Sequence, residues 1–204
     1  MVLPTLNLEE SLWSTGFKYI CGIDEVGRGS WAGPLIVAGV ILPQDFVLPE
    51  GLADSKLVKP SKRKSLSITI KQQAAGFYIS QISPKIIDKI GLAKAAQMAF
   101  RQVAGRIRPS PHYVLIDAFY IRHFNRRKQQ AVKDGDKVCA SIAAASIIAK
   151  VHRDELMKKQ HFRYPKYGFA KHKGYGTSQH QRAIRAYGFS KIHRRSFNLN
   201  YLIA

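Results

Sequence analysis

Acidic residues are scarce in this sequence of 204 residues, which holds 13 Asp and Glu against 33 Lys and Arg. The imbalance is uneven, because two basic and seven acidic residues occur up to Ser55, whereas 31 basic and six acidic residues follow it. A surplus of positive charge on this scale predicts a polyanionic partner, most often nucleic acid. A membrane surface or a ribosome is the alternative partner for so basic a chain.

Cysteine and long apolar runs are also rare. The two cysteines, Cys21 and Cys139, lie in apolar segments and predict buried reduced thiols rather than a disulfide. No histidine pair has zinc-finger spacing, which argues against structural zinc. No run reaches the ~18 apolar residues of a membrane span, and the N-terminus MVLPTLNLEESLW carries acids where a signal peptide carries Lys or Arg. We therefore expect a soluble, cytoplasmic protein that has no membrane partner.

Runs rich in β-branched and aromatic residues predict four strands, at 18–24, 34–42, 76–82 and 112–117. Helical patterns predict one helix that Ser61 caps and that ends near Gln73, and another with an apolar face from Leu92 to Ile107. Segment 138–149 has no charge and continues into KVHRDELMKK, which indicates a long helix with a buried first half. This order predicts an α/β fold with a mixed central sheet flanked by helices.

The length predicts one compact unit, and the composition changes near its end. From Phe162 the segment FRYPKYGFAKHKGYGTSQHQRAIRAYGFSKIHRRSF interleaves aromatic, Gly and basic residues and contains no acid. Basic residues contact phosphate, and aromatic rings stack on bases or sugars. We interpret 161–204 as a basic C-terminal helical extension packed on a core of residues 1–160. An inert basic tail that covers the core is the alternative.

Because acids are so few, their positions are informative. Solvation explains six acids in polar surroundings: Glu9, Glu10, Asp45, Glu50, Asp54 and Asp88. Asp154 and Glu155 lie near lysines of the long helix, such as Lys150, at spacings that suit surface ion pairs. Four acids then need another explanation: Asp24, Glu25, Asp117 and Asp136.

These four acids lie at strand ends or at the start of a helix. Asp24 and Asp117 end apolar strands, and Asp136 precedes the Ala-rich helix. Groups in such positions can converge at one sheet edge, where several buried carboxylates are costly without a cation. Mg²⁺ or Mn²⁺ would supply that charge. Taken singly, turn-forming aspartates, a solvated Glu25 and a helix-capping Asp136 remain alternatives.

A glycine-rich segment, Gly27-Arg28-Gly29, follows the first predicted strand, as dinucleotide-binding loops do. The next glycine, Gly33, comes one position late for such a loop, and Pro34 opens a strand where the motif requires a helix. These features exclude the dinucleotide interpretation. The glycines more plausibly allow the backbone to approach a ligand closely.

Five segments together resemble the ordered motifs of type 2 ribonuclease H, the ribonuclease HII family: GIDEVGRGSWAGPLIVAGVIL, LADSK, VLIDA, DGDKVCASIAAASIIAKVHRD and HKGYGTSQHQRAIRAYGFSKIHRRSF. The resemblance covers roughly residues 19–197. It implies a ribonuclease H-like fold and metal-dependent hydrolysis of RNA paired to DNA, with Mn²⁺ or Mg²⁺. It also implies nicking 5′ of a single ribonucleotide in duplex DNA, giving 3′-hydroxyl and 5′-phosphate ends. We expect the protein to act as a monomer.

Carried over position by position, the resemblance implies catalytic and metal-binding roles for Asp24, Glu25, Asp117 and Asp136. It implies substrate contacts for five further residues: Gly27, Arg28 and Gly29 at the ribose 2′-hydroxyl, Lys56 at a phosphate and Tyr175 stacked on a sugar. Asp134 competes for the fourth carboxylate role, and Asp136 is preferred because its Gly-Asp step matches the family.

Two segments depart from the family pattern. Ser30-Trp31 stands where Pro-Leu is usual, which affects the shape of the loop. Ala118 begins a longer basic segment, AFYIRHFNRRKQQ, where Asn or Gly is common. We interpret this basic segment as altering the grip on the duplex rather than the chemistry.

Two other functions compete with this interpretation. Ribonuclease HIII is similar around the Asp-Glu motif, but it lacks the arginine of the Gly-Arg-Gly loop and usually carries an extra N-terminal domain. A non-catalytic RNA-binding or ribosome-associated protein would explain the charge. Acids at buried strand ends argue against that second alternative.

Overall fold

The computed structural model describes residues 3–53, 55 and 58–203. These residues contain one five-stranded sheet with the order β3-β2-β1-β4-β5. Its strands are β1 (Ile20–Val26), β2 (Leu35–Ile41), β3 (Gly76–Ile82), β4 (Tyr113–Asp117) and β5 (Gln129–Val132). The first three strands are antiparallel neighbours, whereas β1, β4 and β5 run parallel. The predicted α/β fold with a mixed sheet is confirmed.

The helices of the described residues cover both faces of this sheet. They are α1 (Asn7–Ser14), α2 (Pro60–Gln73), α3 (Pro84–Ile90), α4 (Leu92–Arg106), α5 (Gly135–Val138), α6 (Ala140–Arg163), α7 (Phe169–His172) and α8 (Ser178–Tyr187). Alternate residues of β2 point to opposite faces, so Leu35 and Val37 join the core beneath α4 while Ile36 and Ala38 join the core beneath α2 and α6. None of the helices in the described ranges is both long and apolar enough to cross a lipid bilayer.

The long helix α6 has the buried first half that the sequence predicts. Every residue from Ala140 to Ala149 is buried, and the small side chains allow the helix to lie close against β1 and β2. This packing places Ser146 and Lys150 beside the end of β1, where the candidate site forms. Both cysteines are buried and unpaired, as predicted, and burial raises the pKa of Cys21 to about 12.

The expectation that solvent explains Glu9 is wrong, because this side chain is fully buried. Its carboxylate accepts hydrogen bonds from the Ser141 N–H at 2.7 Å and from the Cys139 thiol at 3.1 Å. Glu9 therefore binds the first turn of α6, where an acid is favoured by the helix dipole. The expected capping role of Ser61 is also wrong, since α2 begins at Pro60, which has no N–H to satisfy.

The C-terminal region is less regular than a simple helical extension. After α6 ends at Arg163, the chain forms short 3-10 turns at Pro165–Tyr167 and Asn200–Leu202 on either side of α7 and α8. The boundary drawn between residues 160 and 161 falls in the last turn of α6. Trp31 of the loop after β1 packs against this region, with its ring 5.6 Å from that of His180. The region is thus joined to the loop that follows β1.

Candidate active site

A cavity of about 630 Å³ opens where β1 and β4 end side by side. Asp24 and Glu25 of β1 and Asp117 at the end of β4 line this cavity, together with Ser146 and Lys150 of α6. Parallel neighbouring strands end at the same edge of a sheet, which is why acids 93 positions apart in sequence share one cavity. The structure thus brings together three of the four predicted carboxylates.

Asp24 is the most buried of these three acids, with 6% of its surface exposed. Its carboxylate accepts a hydrogen bond of 2.7 Å from the N–H of Glu25. Burial raises the pKa of Asp24 well above its usual range, and the negative charges of Glu25 and Asp117 raise it further, against a hydrogen bond from Ser146. The site therefore disfavours the full set of negative charges unless a cation is present.

Asp117 connects this edge to the helix that carries Asp136. One of its carboxylate oxygens accepts a hydrogen bond of 2.8 Å from the N–H of Gly135, the first residue of α5. Asp136 is 5% exposed, although it is not among the described residues that line the cavity. Asp134, its rival, has a half-exposed side chain that pairs with Lys137 at 2.8 Å. Asp136 is thus the buried acid of the two, and it directly follows the residue that binds Asp117, which favours it over Asp134 for the fourth role.

The donor set suits a hard divalent cation. In the part of the chain that the structure describes, no group of three His, Cys, Asp or Glu side chains is already arranged to hold a metal ion. The three acids nonetheless offer only carboxylate oxygens to one cavity, the ligands that Mg²⁺ and Mn²⁺ prefer. A cation there would also remove the repulsion that raises the pKa of Asp24.

Two buried arginines support the loop of residues 27–33, which follows β1. Arg153 of α6 is fully buried and donates hydrogen bonds to the carbonyls of Pro34 at 3.1 Å and Ala32 at 3.1 Å. It also donates to the carbonyl of Lys173 at 2.9 Å and to the hydroxyl of Ser30 at 2.7 Å. The Arg153 side chain thereby connects the loop, Pro34 before β2 and Lys173 of the C-terminal region.

Arg194 supports the same loop from the C-terminal region. It is 1% exposed and donates to the carbonyls of Gly33 at 3.1 Å and Arg28 at 2.9 Å. Burial and the nearby charge of Arg153 lower the pKa of Arg194 to about 9, so it stays charged at neutral pH. Within the described residues, the N–H groups of Arg28 and Gly29 donate no hydrogen bond, which leaves them available to a ligand.

The two glycines of the Gly-Arg-Gly segment have different roles. Gly27 has a φ of +90°, and a Cβ there would lie 2.2 Å from Nε of Arg153. At Gly29 a Cβ would meet no atom within 4 Å. The fold itself therefore requires glycine at position 27, which the expectation of ligand approach did not include. No contact among the described residues requires glycine at position 29.

The side chain of Arg28 joins the loop of residues 27–33 to the segment after β4. Its side chain is 40% exposed, and its guanidinium lies 3.8 Å from the carboxylate of Glu25. The guanidinium carbon is 4.8 Å from the centre of the Phe119 ring. These two contacts hold Arg28 beside the carboxylates while its N–H groups remain accessible.

Tyr175, which belongs to the C-terminal region, also lines the cavity. The centre of its half-buried ring lies 5.3 Å from the guanidinium carbon of Arg153 and 5.9 Å from Nζ of Lys150. Lys56, the other predicted substrate contact, lies outside the described residues. Tyr175 is thus placed where a ring could stack on a sugar bound in the cavity.

A chain of histidines holds the backbone of Tyr175. The Ser190 N–H donates to Nδ1 of His193 at 2.8 Å, so His193 must donate from Nε2 to Nε2 of His180 at 2.9 Å. His180 then donates from Nδ1 to the carbonyl of Tyr175 at 3.0 Å. Burial lowers the pKa of His180 to about 4 and that of His193 to about 3, so both are neutral at pH 7.

The cavity also contains charged residues to which the sequence alone assigned no role in a site. The expected ion pair between Lys150 and Asp154 exists, at 2.8 Å, but both side chains are only 16–17% exposed and line the cavity rather than the outer surface. Arg63 joins them, 3.4 Å from Asp154. Its guanidinium also donates to the carbonyls of Ser55 and Val58, both at 2.7 Å. The i, i+4 spacing of Lys150 and Asp154 in the sequence predicted their ion pair, but it did not predict that the pair would be largely buried.

Comparisons with known proteins show the family of this chain. The Ribonuclease HII family profile matches residues 21–200. Ribonuclease HII of Desulfitobacterium hafniense (strain DSM 10664 / DCB-2) is 47% identical over 94% of this chain and 73% of its own length. Ribonuclease HII of Acholeplasma laidlawii is 42% identical over 97% of this chain and 96% of its own length.

Two solved structures show the same fold at low identity. Ribonuclease H2 from Pyrococcus horikoshii OT3 has a TM-score of 0.76 at 23% identity and covers 90% of this chain and 96% of its own. Bst-RNase HIII in complex with Mn²⁺ has a TM-score of 0.67 at 20% identity and covers 92% of this chain and 69% of its own. These likenesses establish the ribonuclease H-like fold.

The family match spans nearly the whole chain, and the curated relatives share more than 40% of its residues over that length. The likeness to ribonuclease HIII, at 20% identity, extends to the fold alone. The chain therefore belongs to the ribonuclease HII family, metal-dependent endoribonucleases that cleave RNA in RNA/DNA hybrids and at ribonucleotides embedded in DNA.

Proposed function

We propose that this enzyme hydrolyses the phosphodiester bond 5′ of a ribonucleotide and leaves 3′-hydroxyl and 5′-phosphate ends. Asp24, Glu25, Asp117 and Asp136 are the carboxylates that would hold Mn²⁺ or Mg²⁺. The observation that carries this proposal is the gathering of three carboxylates in one cavity of a chain with net charge +20. When bound, such an ion lowers the pKa of water and stabilises charge on phosphate.

The residues around the carboxylates set their positions. The N–H of Glu25 orients the carboxylate of Asp24, and the N–H of Gly135 orients that of Asp117. The second contact also fixes the start of α5, and with it the backbone of Asp136. Lys150 and Lys173 of the cavity wall supply positive charge for the substrate phosphates.

Recognition of RNA would come from the loop of residues 27–33. The ribose 2′-hydroxyl is both a donor and an acceptor and distinguishes RNA from DNA. The backbone N–H groups of Arg28 and Gly29 have no partner among the described residues and suit its oxygen. Groups committed to a 2′-hydroxyl stay unpaired against deoxyribose, which generates discrimination. The ring of Tyr175 would stack on a neighbouring sugar.

Binding of the duplex would involve the basic C-terminal region. Residues 161–204 contain no acid, and Lys171 and Lys173 of this region line the cavity. We propose that this region contacts the backbone of RNA/DNA hybrids and of DNA duplexes with embedded ribonucleotides, while residues 1–160 carry the chemistry, in a monomer. Lys56 would contribute a phosphate contact from outside the described residues.

The direct test is cleavage of a DNA duplex with one embedded ribonucleotide, with Mg²⁺, with Mn²⁺ and with a chelator. We expect a single nick immediately 5′ of the ribonucleotide with either metal, and none with the chelator. An all-DNA duplex of the same sequence should stay intact. Cleavage of long RNA/DNA hybrids without cleavage at the lone ribonucleotide would contradict the role of the loop and favour a ribonuclease HIII-like specificity.

A further inference from the structure

A second groove, of about 430 Å³, lies between the first half of α4 and the segment that follows β4. Its described lining carries four basic side chains and no acid: Lys94, Arg101, Arg122 and His123. All four are exposed, and none forms an ion pair with an acid of the described residues. We call this the outer groove. Unpaired positive charge around a concave surface is suited to a polyanion.

The outer groove is built by the fold and does not depend on a flexible loop. The side chain of Gln97 donates to the carbonyl of Tyr120 at 2.9 Å and accepts from the N–H of Arg122 at 2.8 Å. Gln129, which is 3% exposed, accepts from the N–H of Ile121 at 2.7 Å and donates to its carbonyl at 3.1 Å. Two glutamines therefore hold the backbone that presents Arg122.

The backbone of this segment also turns sharply at two residues. Ala118 has a φ of +55° and His123 a φ of +61°, the left-handed region that residues other than glycine seldom adopt. Such conformations persist where the surrounding contacts determine them, and they are often found at functional sites. They direct the chain after β4 back across α4, so that Arg122 and His123 face Lys94 and Arg101.

The segment that lines the outer groove begins at the active-site cavity. This segment starts directly after Asp117, which lines that cavity. The ring of Phe119 lies under the guanidinium of Arg28, at 4.8 Å, in the loop that approaches the ribose. Farther along, the guanidinium of Arg126 stacks on Tyr120 at 3.5 Å and extends the basic edge. The chain itself thus connects Asp117 and the Arg28 contact to Arg122 and His123 of the outer groove.

We propose that the outer groove binds the phosphodiester backbone of the duplex beyond the ribonucleotide that is cleaved. This inference rests on the proposed function, because it takes the duplex in the cavity as its starting point. Guanidinium groups pair with phosphate in two-point geometry, and Arg101 and Arg122 stand on opposite walls of the groove. The longer basic segment after β4 thus lengthens the stretch of duplex that the enzyme contacts.

The test compares Arg101→Gln/Arg122→Gln with the wild-type enzyme in binding of two duplexes without metal. The duplexes, of about 10 and about 30 base pairs, each carry one ribonucleotide at the centre, and affinity is measured against salt concentration. For the long duplex the slope of log K on log salt should fall by about 1.8, which corresponds to two lost phosphate contacts. For the short duplex the affinity and the rate of nicking with Mg²⁺ should stay within about twofold.

The matched control is Lys18→Gln/Lys71→Gln, which removes two charges from residues that do not line the outer groove. Lys18 precedes β1, and Nζ of Lys71 lies 5.6 Å from the ring of Phe77, next to the first residue of β3. This variant should bind both duplexes as the wild type does. The proposed role of the outer groove would be overturned if the arginine variant kept the wild-type slope on the long duplex. It would also be overturned if the variant lost affinity equally for both duplexes. Failure of the wild type to nick either duplex would instead overturn the proposed function.

Discussion

The carboxylate edge and the arginine-supported loop bury charge in opposite ways. At the carboxylate edge, Asp24, Glu25 and Asp117 bring like charges into one cavity. At the loop of residues 27–33, the guanidinium groups of Arg153 and Arg194, which come from other parts of the chain, donate mainly to backbone carbonyls. The buried arginines therefore find hydrogen-bond acceptors within the protein, whereas the carboxylate edge brings like charges together without a cation.

Because of this difference, we expect substitutions in the loop to affect stability and substitutions at the carboxylate edge to affect activity. Removing a guanidinium leaves buried carbonyl oxygens without donors, which destabilises the fold. Removing one of several crowded carboxylates relieves repulsion, and under the proposed function it also removes a metal ligand, so we expect activity to be lost while the fold stays intact. Substitutions in the two regions should therefore have opposite profiles of stability and turnover.

The largest expected effect is on cleavage by Asp117→Asn. Asparagine keeps an oxygen that can accept from the Gly135 N–H but removes the charge that a divalent ion needs, so nicking should fall by ~1,000-fold or more. The thermal midpoint should be equal or higher, because one negative charge near Asp24 is lost. Nicking rates and circular dichroism melts measure the two effects.

Asp134→Asn is the matched control for this substitution. Its side chain is half exposed and pairs with Lys137, so we expect a small change in nicking. Asp136→Asn should instead be severe, since this acid is buried and directly follows Gly135, whose N–H donates to Asp117. Retention of a tenth of the activity in Asp117→Asn, or a severe loss in Asp134→Asn with a mild one in Asp136→Asn, would contradict the assignment.

Arg153→Met should give the largest loss of stability. Methionine fills much of the volume but leaves the carbonyls of Pro34, Ala32 and Lys173 without donors, at a cost of about 2–4 kcal/mol. Urea denaturation measures the free energy of unfolding. Arg185→Met on exposed α8 is the control and should change it by less than about 0.5 kcal/mol. Equal losses in the two variants would mean that the loop does not depend on Arg153.

The two glycines of the loop sharpen the comparison. Gly27→Ala forces a Cβ into a left-handed position against Arg153 and should cost about 1–2 kcal/mol of stability. Gly29→Ala has space in the free protein and should leave stability within about 0.5 kcal/mol. It should nevertheless slow nicking at a lone ribonucleotide, because the added methyl group would face the sugar. If the two variants had the same stability and the same nicking rate, the two glycines would not have the different roles described above.

A further expected effect is the response of stability to acid. His180 and His193 have folded-state pKa values lowered to about 4 and about 3 by burial, near His172 and Arg195, whereas the unfolded chain titrates near 6.5. The unfolded state therefore binds more protons below pH 6.5, and stability should fall as the pH decreases from 6.5 towards 4. Denaturation midpoints at pH 7 and pH 5 should differ less in His193→Gln than in the wild type.

The sequence alone determined the family and the fold class, and it predicted that Asp24, Glu25 and Asp117 would lie together at one edge of the sheet. These features depend on short segments in which residue type, strand pattern and a following glycine or helix stand close together. The strands of the opening meander and the buried half of α6 were predictable for the same reason. Strand β5 was not, because QQAV carries little pattern and is held at the sheet edge by pairing with β4.

Only the tertiary structure decided which charges are buried and what they contact. Glu9 binds the N–H of Ser141, 132 positions away, and Arg194 binds the carbonyl of Arg28, 166 positions away. A charged residue in a polar stretch of sequence has the same local pattern whether it faces solvent or a distant carbonyl. Its burial depends on partners that the fold brings together, because hydrogen bonds to those partners replace the water that the charge has lost.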